Sequence, residues 1–252
     1  MRTLTVVDAG TVGYGPALDW QNELYRRRVA GEIPDTVLLL EHPHVYTLGR
    51  RFSAEHLLLG EEALARRGIE VYECDRGGSI TYHGPGQLVG YPVLALEDPD
   101  VIAYLRCLEE VLIRSVNEFG VAAGRREGLT GVWVGEDKLA SIGVNVSRGV
   151  TKHGFALNVT TDLSFFAGMV PCGIPAVTVT SLERLLPAAP PMDAVRSTVV
   201  GHLAAILGAE VRSATAAELG LLGVTMREEA SILRFPNKPG SHRTGSPRTM
   251  EG

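Results

Sequence analysis

Cys172, Lys138 and a few histidines are the side chains whose type and setting suit covalent or proton-transfer chemistry. Cys172 lies in Met169-Val170-Pro171-Cys172-Gly173-Ile174-Pro175, where two prolines and a glycine restrict the backbone around a thiol. Rigid loops of this kind gather functional residues, and the thiolate is the reactive form of cysteine. The same loop is compatible with an inert thiol. Lys138 opens a strand-like run, Lys138–Val146, whose alternation puts it on one face with Ala140, Ile142, Val144 and Val146. A lysine so placed either reaches back to solvent or is buried. Burial disfavours an ammonium, so a buried lysine can exchange protons near neutrality, and beside Cys172 its cation would favour the thiolate.

The other candidates sort by setting. His83, between Tyr82 and Gly84, and His153, aligned with Thr151, Phe155, Leu157 and Val159, are expected at a pocket. His42 and His44 form a His-x-His pair with no third ligand at useful spacing, so no metal is expected. His56 and His202 read as helix-surface residues. Cys74 ends an alternating strand and Cys107 falls in an amphipathic helix, where both read as packed small hydrophobes. Three cysteines without a Cys-x-x-Cys give neither a disulfide framework nor a zinc knuckle, and a reducing cytoplasm is expected. Trp20 reads as core, and Trp133 as core or pocket wall.

The stretch Arg76-Gly77-Gly78-Ser79-Ile80-Thr81-Tyr82-His83-Gly84-Pro85-Gly86-Gln87 holds four glycines in twelve positions. Bounded by strand-like runs, it reads as a pair of tight turns or as a bulged strand lining a pocket. The chain has 29 glycines in 252 residues, about 12% against an average near 7%. Much of that excess falls in 76–90 and 143–173. A net charge of −5 argues against a nucleic-acid partner, which needs a basic face, though a local basic patch for an acidic protein stays open. No apolar run approaches membrane length, so no membrane association is expected.

Residues 3–7 read as a strand, and Pro16 opens a helix to about Ala30 with Ala17, Trp20, Leu24 and Arg28 along one face. Val37–Leu40 is a continuous apolar strand. Short helical turns start at Ser53 and Glu62 and end at Gly68. Ile69–Cys74 alternates as a half-buried strand, and Leu88–Leu96 is a strand whose Pro92 suggests an edge or a bulge. Asp98–Phe119 carries Val101, Leu105, Leu108, Leu112, Val116 and Phe119 at helical spacing, with Gly120 as its stop. Gly131–Val134, Lys138–Val146 and Thr151–Val159 form a second strand cluster. Thr180–Leu186 and Pro191–Leu207 are helical, and 236–252 is low in apolar residues and expected to be disordered.

The Arg76–Gln87 stretch resembles the signature of the lipoyl(octanoyl) transferases. The likeness continues through Lys138-Leu139-Ala140-Ser141-Ile142-Gly143, Thr151–Val159, and Pro171-Cys172-Gly173-Ile174 followed by Val179-Thr180-Ser181-Leu182. The likeness runs from about residue 36 to 186, and it implies a biotin/lipoate protein ligase-like fold, one α/β domain of α+β type with a mixed sheet and packed helices; the catalytic domain is expected to span 1–235 ahead of the tail. It implies a Cys172/Lys138 dyad and a substrate pocket built from Arg76, Gly77, Gly78, Ser79, Ile80, Thr81, Tyr82 and His83, from Ser141, Ile142 and Gly143, and from Gly154, Phe155 and Ala156. Gly84, His153 and Asn158 are further pocket candidates. The implied reaction moves an octanoyl group from octanoyl-acyl carrier protein, through an acyl-cysteine, to a lysine of lipoyl domains in 2-oxoacid dehydrogenase complexes and the glycine cleavage H protein. No cofactor is implied, and Gly77, Gly78 or Gly173 would supply oxyanion-stabilising amides. Competing readings are an ATP-dependent lipoate or biotin ligase, a non-enzymatic acyl-binding module, and a thiol hydrolase using His83 or His153.

Overall fold

The computed structural model describes residues 2–170 and 177–224. Cys172 with the rest of its Pro171–Pro175 loop, and the tail 236–252, lie outside the described residues.

The apolar runs assemble into two sheets. In the first, β1 (Arg2–Thr11) pairs in parallel with β2 (Asp35–Glu41) and, on its other side, with a late strand, β11 (Ala209–Ser213). The second sheet has β3 (Val45–Leu48) between β4 (Glu70–Glu73) and β5 (Ile80–His83). The first sheet continues from β2 through β6 (Gln87–Val93), β10 (Val150–Asn158), β9 (Asp137–Ser147), β8 (Leu129–Val134) and β7 (Gly124–Arg126), all antiparallel. Neither β7 nor β11 is foreshadowed by an apolar pattern, because both are short edge strands with mostly polar side chains.

Helices cover both faces of the large sheet. On one face α3 (Val101–Asn117) and α5 (Met192–Leu207) bury Leu108, Leu112, Val116, Val195, Val199 and Leu203 against Leu39, Leu88 and Leu157. On the other, α1 (Tyr14–Val29) buries Ala17, Trp20 and Leu24 against Leu38, Val89 and Tyr91. Two shorter helices, α2 (Glu61–Arg66) and α4 (Leu182–Leu185), lie beside the small sheet and after the Cys172 loop. The Asp100 carboxylate caps α3 by accepting from the Ile102 and Ala103 amides, so the helix starts at Val101, three residues after the expected Asp98. Val101 is consequently exposed rather than core. Helix α1 begins at Tyr14, two residues before Pro16, which a first turn tolerates. Arg28 is not part of its apolar stripe; it pairs with the buried Asp35 carboxylate, as does Arg2.

Three sequence expectations change in the large sheet, each for a local reason. Pro92 is neither at an edge nor in a bulge of β6, which lies in the sheet interior between β2 and β10. Its missing N–H falls opposite the β10 backbone near His153. There the His153 amide donates to Gln21 Oε1 of α1, and the Pro92 carbonyl accepts from the Thr151 hydroxyl. His153 itself has φ 59°, a left-handed value that interrupts the alternation of β10. Its imidazole meets Asp75 and stands edge-on to Tyr91 instead of joining the core of Phe155 and Leu157. In β9 the pairing with β8 shifts by one residue between Val132 and Trp133. Leu139 and Ala140 therefore both enter the core, and the single-face grouping of Lys138 with Ala140 does not hold.

Close backbone approach between β6 and β10 depends on Gly154. A Cβ on Gly154 would stand 2.2 Å from the Gly90 carbonyl oxygen and 2.6 Å from Pro92 Cδ. Neither neighbour can move without breaking the central ladder. Gly154→Ala is expected to cost about 2 kcal/mol or more, read as a lower urea midpoint at unchanged m-value.

Candidate active site

A narrow slot opens where the small sheet meets the large one. Its walls are Arg76 to Thr81 and His83 on one side, with Ser141, Ile142 and Gly143 of β9 and Gly154, Phe155 and Ala156 of β10 on the other. Lys138, His153, Tyr14 and Tyr91 complete the lining. Alternation along β5 turns Tyr82 to the opposite face, where it is fully buried and stacks on Phe165 at 5.1 Å between ring centres. Gly84 and Asn158 do not line the slot. A Cβ on Gly84 would meet the Tyr82 hydroxyl, and Asn158 bonds Gln87 and the Thr180 carbonyl.

The slot leads to a wider vestibule of about 440 Å³ walled by Val101, Leu105, Leu129, Trp133, Val144 and Val177. Gly77, Gly78, Ser79, Lys138, Ile142 and Gly143 line both spaces and form the neck between them. Lys138 is 4% exposed there, with its Nζ 5.3 Å from the centre of the Trp133 ring. Gly131 makes room for it: a Cβ would stand 2.7 Å from Lys138 Cε, and φ is 133°.

Both flanks of residues 171–176 are fixed at this place. The Val170 amide donates to the His56 carbonyl at 2.8 Å, and His56 lines the vestibule. On the far side Val177 lines the vestibule too. The Lys138 amide donates to the Thr178 carbonyl at 2.9 Å, and the Thr180 amide to the Lys138 carbonyl at 3.0 Å.

Backbone ties make the glycine-rich wall rigid. Arg76, largely buried, spends its guanidinium on the Thr47 hydroxyl and carbonyl and on the Gly77 carbonyl, so it holds the loop in place. The Gly77 amide donates to the Val144 carbonyl at 2.9 Å and is unavailable to a ligand. No described residue accepts from the Gly78 amide, and Gly78 takes φ 87°. Gly173 lies outside the described residues.

The slot's inner end is made of ordered neutral polar groups. Gln87 donates its amide to Tyr82 and Asn158, so its Oε1 accepts from His83 Nδ1–H at 2.8 Å. Burial, then the neighbouring His42, hold the His83 pKa well below the ordinary value. His42 Nδ1–H donates to the Val12 carbonyl and its Nε2 accepts from the Tyr91 hydroxyl; burial pulls its pKa to about 4. His44 stacks separately on Phe165, and among the described residues no group of His, Cys, Asp and Glu is placed to hold a metal.

Asp75, which the sequence gives no reason to single out, ties the two sheets together. Its carboxylate accepts from His153 Nε2 at 2.6 Å, from the buried Lys152 ammonium at 2.9 Å and from Asn145. Burial alone would raise the Asp75 pKa, but the bonds and charges of His153 and Lys152 outweigh it and hold the carboxyl well below the usual range. Burial lowers the His153 pKa despite the carboxylate beside it. A carboxyl depressed in the folded state gives stability in full above its unfolded pKa, near 3.9, and loses it as pH falls toward the folded value. Asp75→Asn leaves Lys152 without its counter-charge and is expected to cost about 2 kcal/mol at pH 7. Urea midpoints at pH 7, 4 and 3 should show the native protein losing stability more steeply in acid than the variant.

The lipoyl protein ligase A/B catalytic domain family matches residues 14–204. An octanoyltransferase of Solibacter usitatus (strain Ellin6076) is 52% identical over 187 residues, covering 73% of this chain and 84% of that protein. One from Rubrobacter xylanophilus (strain DSM 9941 / JCM 11954 / NBRC 16129 / PRD-1) is 50% identical over 201 residues, covering 79% and 91%. Among solved structures, a lipoate-protein ligase A bound with ATP superposes with a TM-score of 0.74 at 19% identity, covering 88% of this chain and 92% of that one. A bi-partite lipoate protein ligase from Thermoplasma acidophilum gives 0.69 at 19% identity, covering 88% and 90%. At that identity the structures speak to the fold, which is a mixed α/β architecture of the lipoate ligase kind.

Proposed function

The chain belongs to the octanoyltransferases of the lipoyl protein ligase A/B catalytic family, and from that premise we propose that it takes octanoyl from acyl carrier protein, holds it on Cys172 and delivers it to a lysine of a lipoyl domain. The observation that carries this reading is the neck. A buried lysine stands between a narrow, mostly apolar slot and a wider vestibule; of the residues flanking the Cys172 loop, Val177 lines that vestibule and Val170 is hydrogen-bonded to His56, which also lines it.

In the first half-reaction the Cys172 thiolate attacks the thioester carbonyl of the donor. The carbon–sulfur bond to the carrier breaks, and the carrier thiolate leaves with a proton from the Lys138 ammonium, which becomes the neutral amine. One thioester replaces another, so the step needs no ATP. In the second, the acceptor amine attacks the octanoyl-Cys172 carbonyl, loses a proton, and expels the Cys172 thiolate as the amide forms. This is covalent catalysis in two steps. The Lys138 ammonium stabilises the thiolate before acylation, and the neutral amine takes the acceptor's proton afterwards. With Gly77 committed to Val144, the Gly78 amide is the oxyanion donor this reading favours, worth about 3 kcal/mol in comparable sites. The octanoyl tail lies in the slot against Ile142, Phe155 and Ala156. Burying its carbons contributes up to about 6 kcal/mol at ~0.8 kcal/mol per methylene. Dehydrogenase lipoyl domains and the glycine cleavage H protein are the proposed acceptors, and 1–235 is the proposed catalytic domain.

Intact mass spectrometry tests this directly. Mixing the protein with octanoyl-acyl carrier protein, without ATP, should add one octanoyl group on the Cys172 peptide, and lipoyl domain should then remove it as the domain gains the same mass. Transfer that requires ATP and passes through no protein adduct would overturn the reading in favour of an adenylating ligase.

A further inference from the structure

Ser79 and His56 make a second nucleophile–base pair at the neck. Ser79 is 4% exposed and lines both the slot and the vestibule, and its Oγ lies 2.7 Å from His56 Nδ1. The Ser53 amide points at the same ring nitrogen at 3.4 Å, which makes Nδ1 the acceptor and leaves the proton on Nε2. Ser79 O–H is therefore the donor, and its oxygen lone pairs are free of that bond. His56 Nε2 faces the Glu55 carboxylate at 3.9 Å. The His56 backbone is fixed as well, because its carbonyl accepts from the Val170 amide. A hydroxyl donating to an oriented neutral imidazole, beside an amide with no described acceptor at Gly78, meets the geometric conditions for acyl capture.

We propose that Ser79, with His56 as its base, gives this protein a slow thioester hydrolase activity that does not pass through Cys172. The inference rests on the reading of the slot as the octanoyl site. Ser79 Oγ attacks the thioester carbonyl while His56 Nδ1 takes its proton. The carbon–sulfur bond breaks, and the departing thiolate receives that proton from His56. Water then attacks the octanoyl-Ser79 ester with His56 as base, and octanoate leaves as the Ser79 hydroxyl is restored. Water is the only co-reactant, and no redox change occurs. A serine hydroxyl is a weaker nucleophile than a thiolate, so the pair is outrun whenever Cys172 is intact.

The test uses the full chain carrying Cys172→Ala, given octanoyl-acyl carrier protein and no amine acceptor. Octanoate release above the buffer rate is expected, together with an octanoyl adduct on the peptide containing Ser79. Adding Ser79→Ala should remove the adduct and lower release about 100-fold, as loss of an activated nucleophile does, whereas Ser79→Thr, which keeps a hydroxyl, should retain part of it. His56→Gln should lower release without removing the hydroxyl. Release that is absent in Cys172→Ala, or unchanged by Ser79→Ala, overturns the proposal. Failure of the unsubstituted protein to form any Cys172 adduct is a separate result that bears on the transferase reading, since the Ser79 arm is read without that cysteine.

Discussion

Cys172→Ala is expected to lower octanoyl transfer to lipoyl domain by at least about 10⁴-fold, with stability within about 0.5 kcal/mol of the unsubstituted protein. The size of the effect follows from the chemistry. Without the sulfur the proposed acyl-enzyme cannot form, and donor and acceptor would have to meet at the neck, where six residues line both slot and vestibule. On the proposed reading the carrier-borne thioester and the acceptor lysine both use the vestibule, so direct transfer would need both there at once. Quenched-flow transfer with labelled octanoyl-acyl carrier protein measures the loss. Cys172→Ser discriminates further: a serine oxygen can be acylated but leaves poorly, so an ester adduct should form slowly and persist. Transfer at more than one-tenth of the normal rate in Cys172→Ala would remove Cys172 from the mechanism.

Lys138→Ala comes second, with an expected loss of 10²- to 10⁴-fold in turnover, the range for removing a general acid–base. Both half-reactions should slow, because the same amine is asked to favour a thiolate and then to accept a proton. Lys138→Arg keeps the cation but does not surrender its proton. It should recover acylation better than deacylation, so octanoyl-Cys172 accumulates. A role limited to filling space beside Trp133 and Gly131 predicts the reverse, with Lys138→Met restoring activity. Single-turnover acylation and chase rates, measured separately, tell these apart.

Much of the scaffold is legible in the residues. The apolar spacing of α3 and the continuous runs of β2 and β6 survive folding because each buries a face or a whole strand. What fails is strict alternation wherever the backbone departs from regular pleating. One extra residue at Leu139 and a left-handed turn at His153 each send a side chain to a face that counting by two does not give. Tyr82 shows the opposite error. A contiguous signature suggests that all its members share a pocket, but β5 alternates, so Thr81 and His83 reach the slot while Tyr82 does not. Tyr14, Tyr91, Asp75 and His56 were beyond reach for another reason: nothing local marks them. Asp75 matters because it meets a residue 78 positions away, and Tyr91 reads as an ordinary core aromatic in an apolar strand.

The chain holds two tryptophans, and they sit in different surroundings. Trp20 packs in the apolar layer beneath α1, while the Trp133 ring carries the Arg126 guanidinium at 5.0 Å and the Lys138 amine at 5.3 Å. Indole emission responds to nearby cations, so Trp133 is an intrinsic fluorophore wired to the proposed dyad. A change in Lys138 protonation or position during turnover would register as a shift in intensity or wavelength against the constant background of Trp20, and acylation could be followed optically in real time with no label attached.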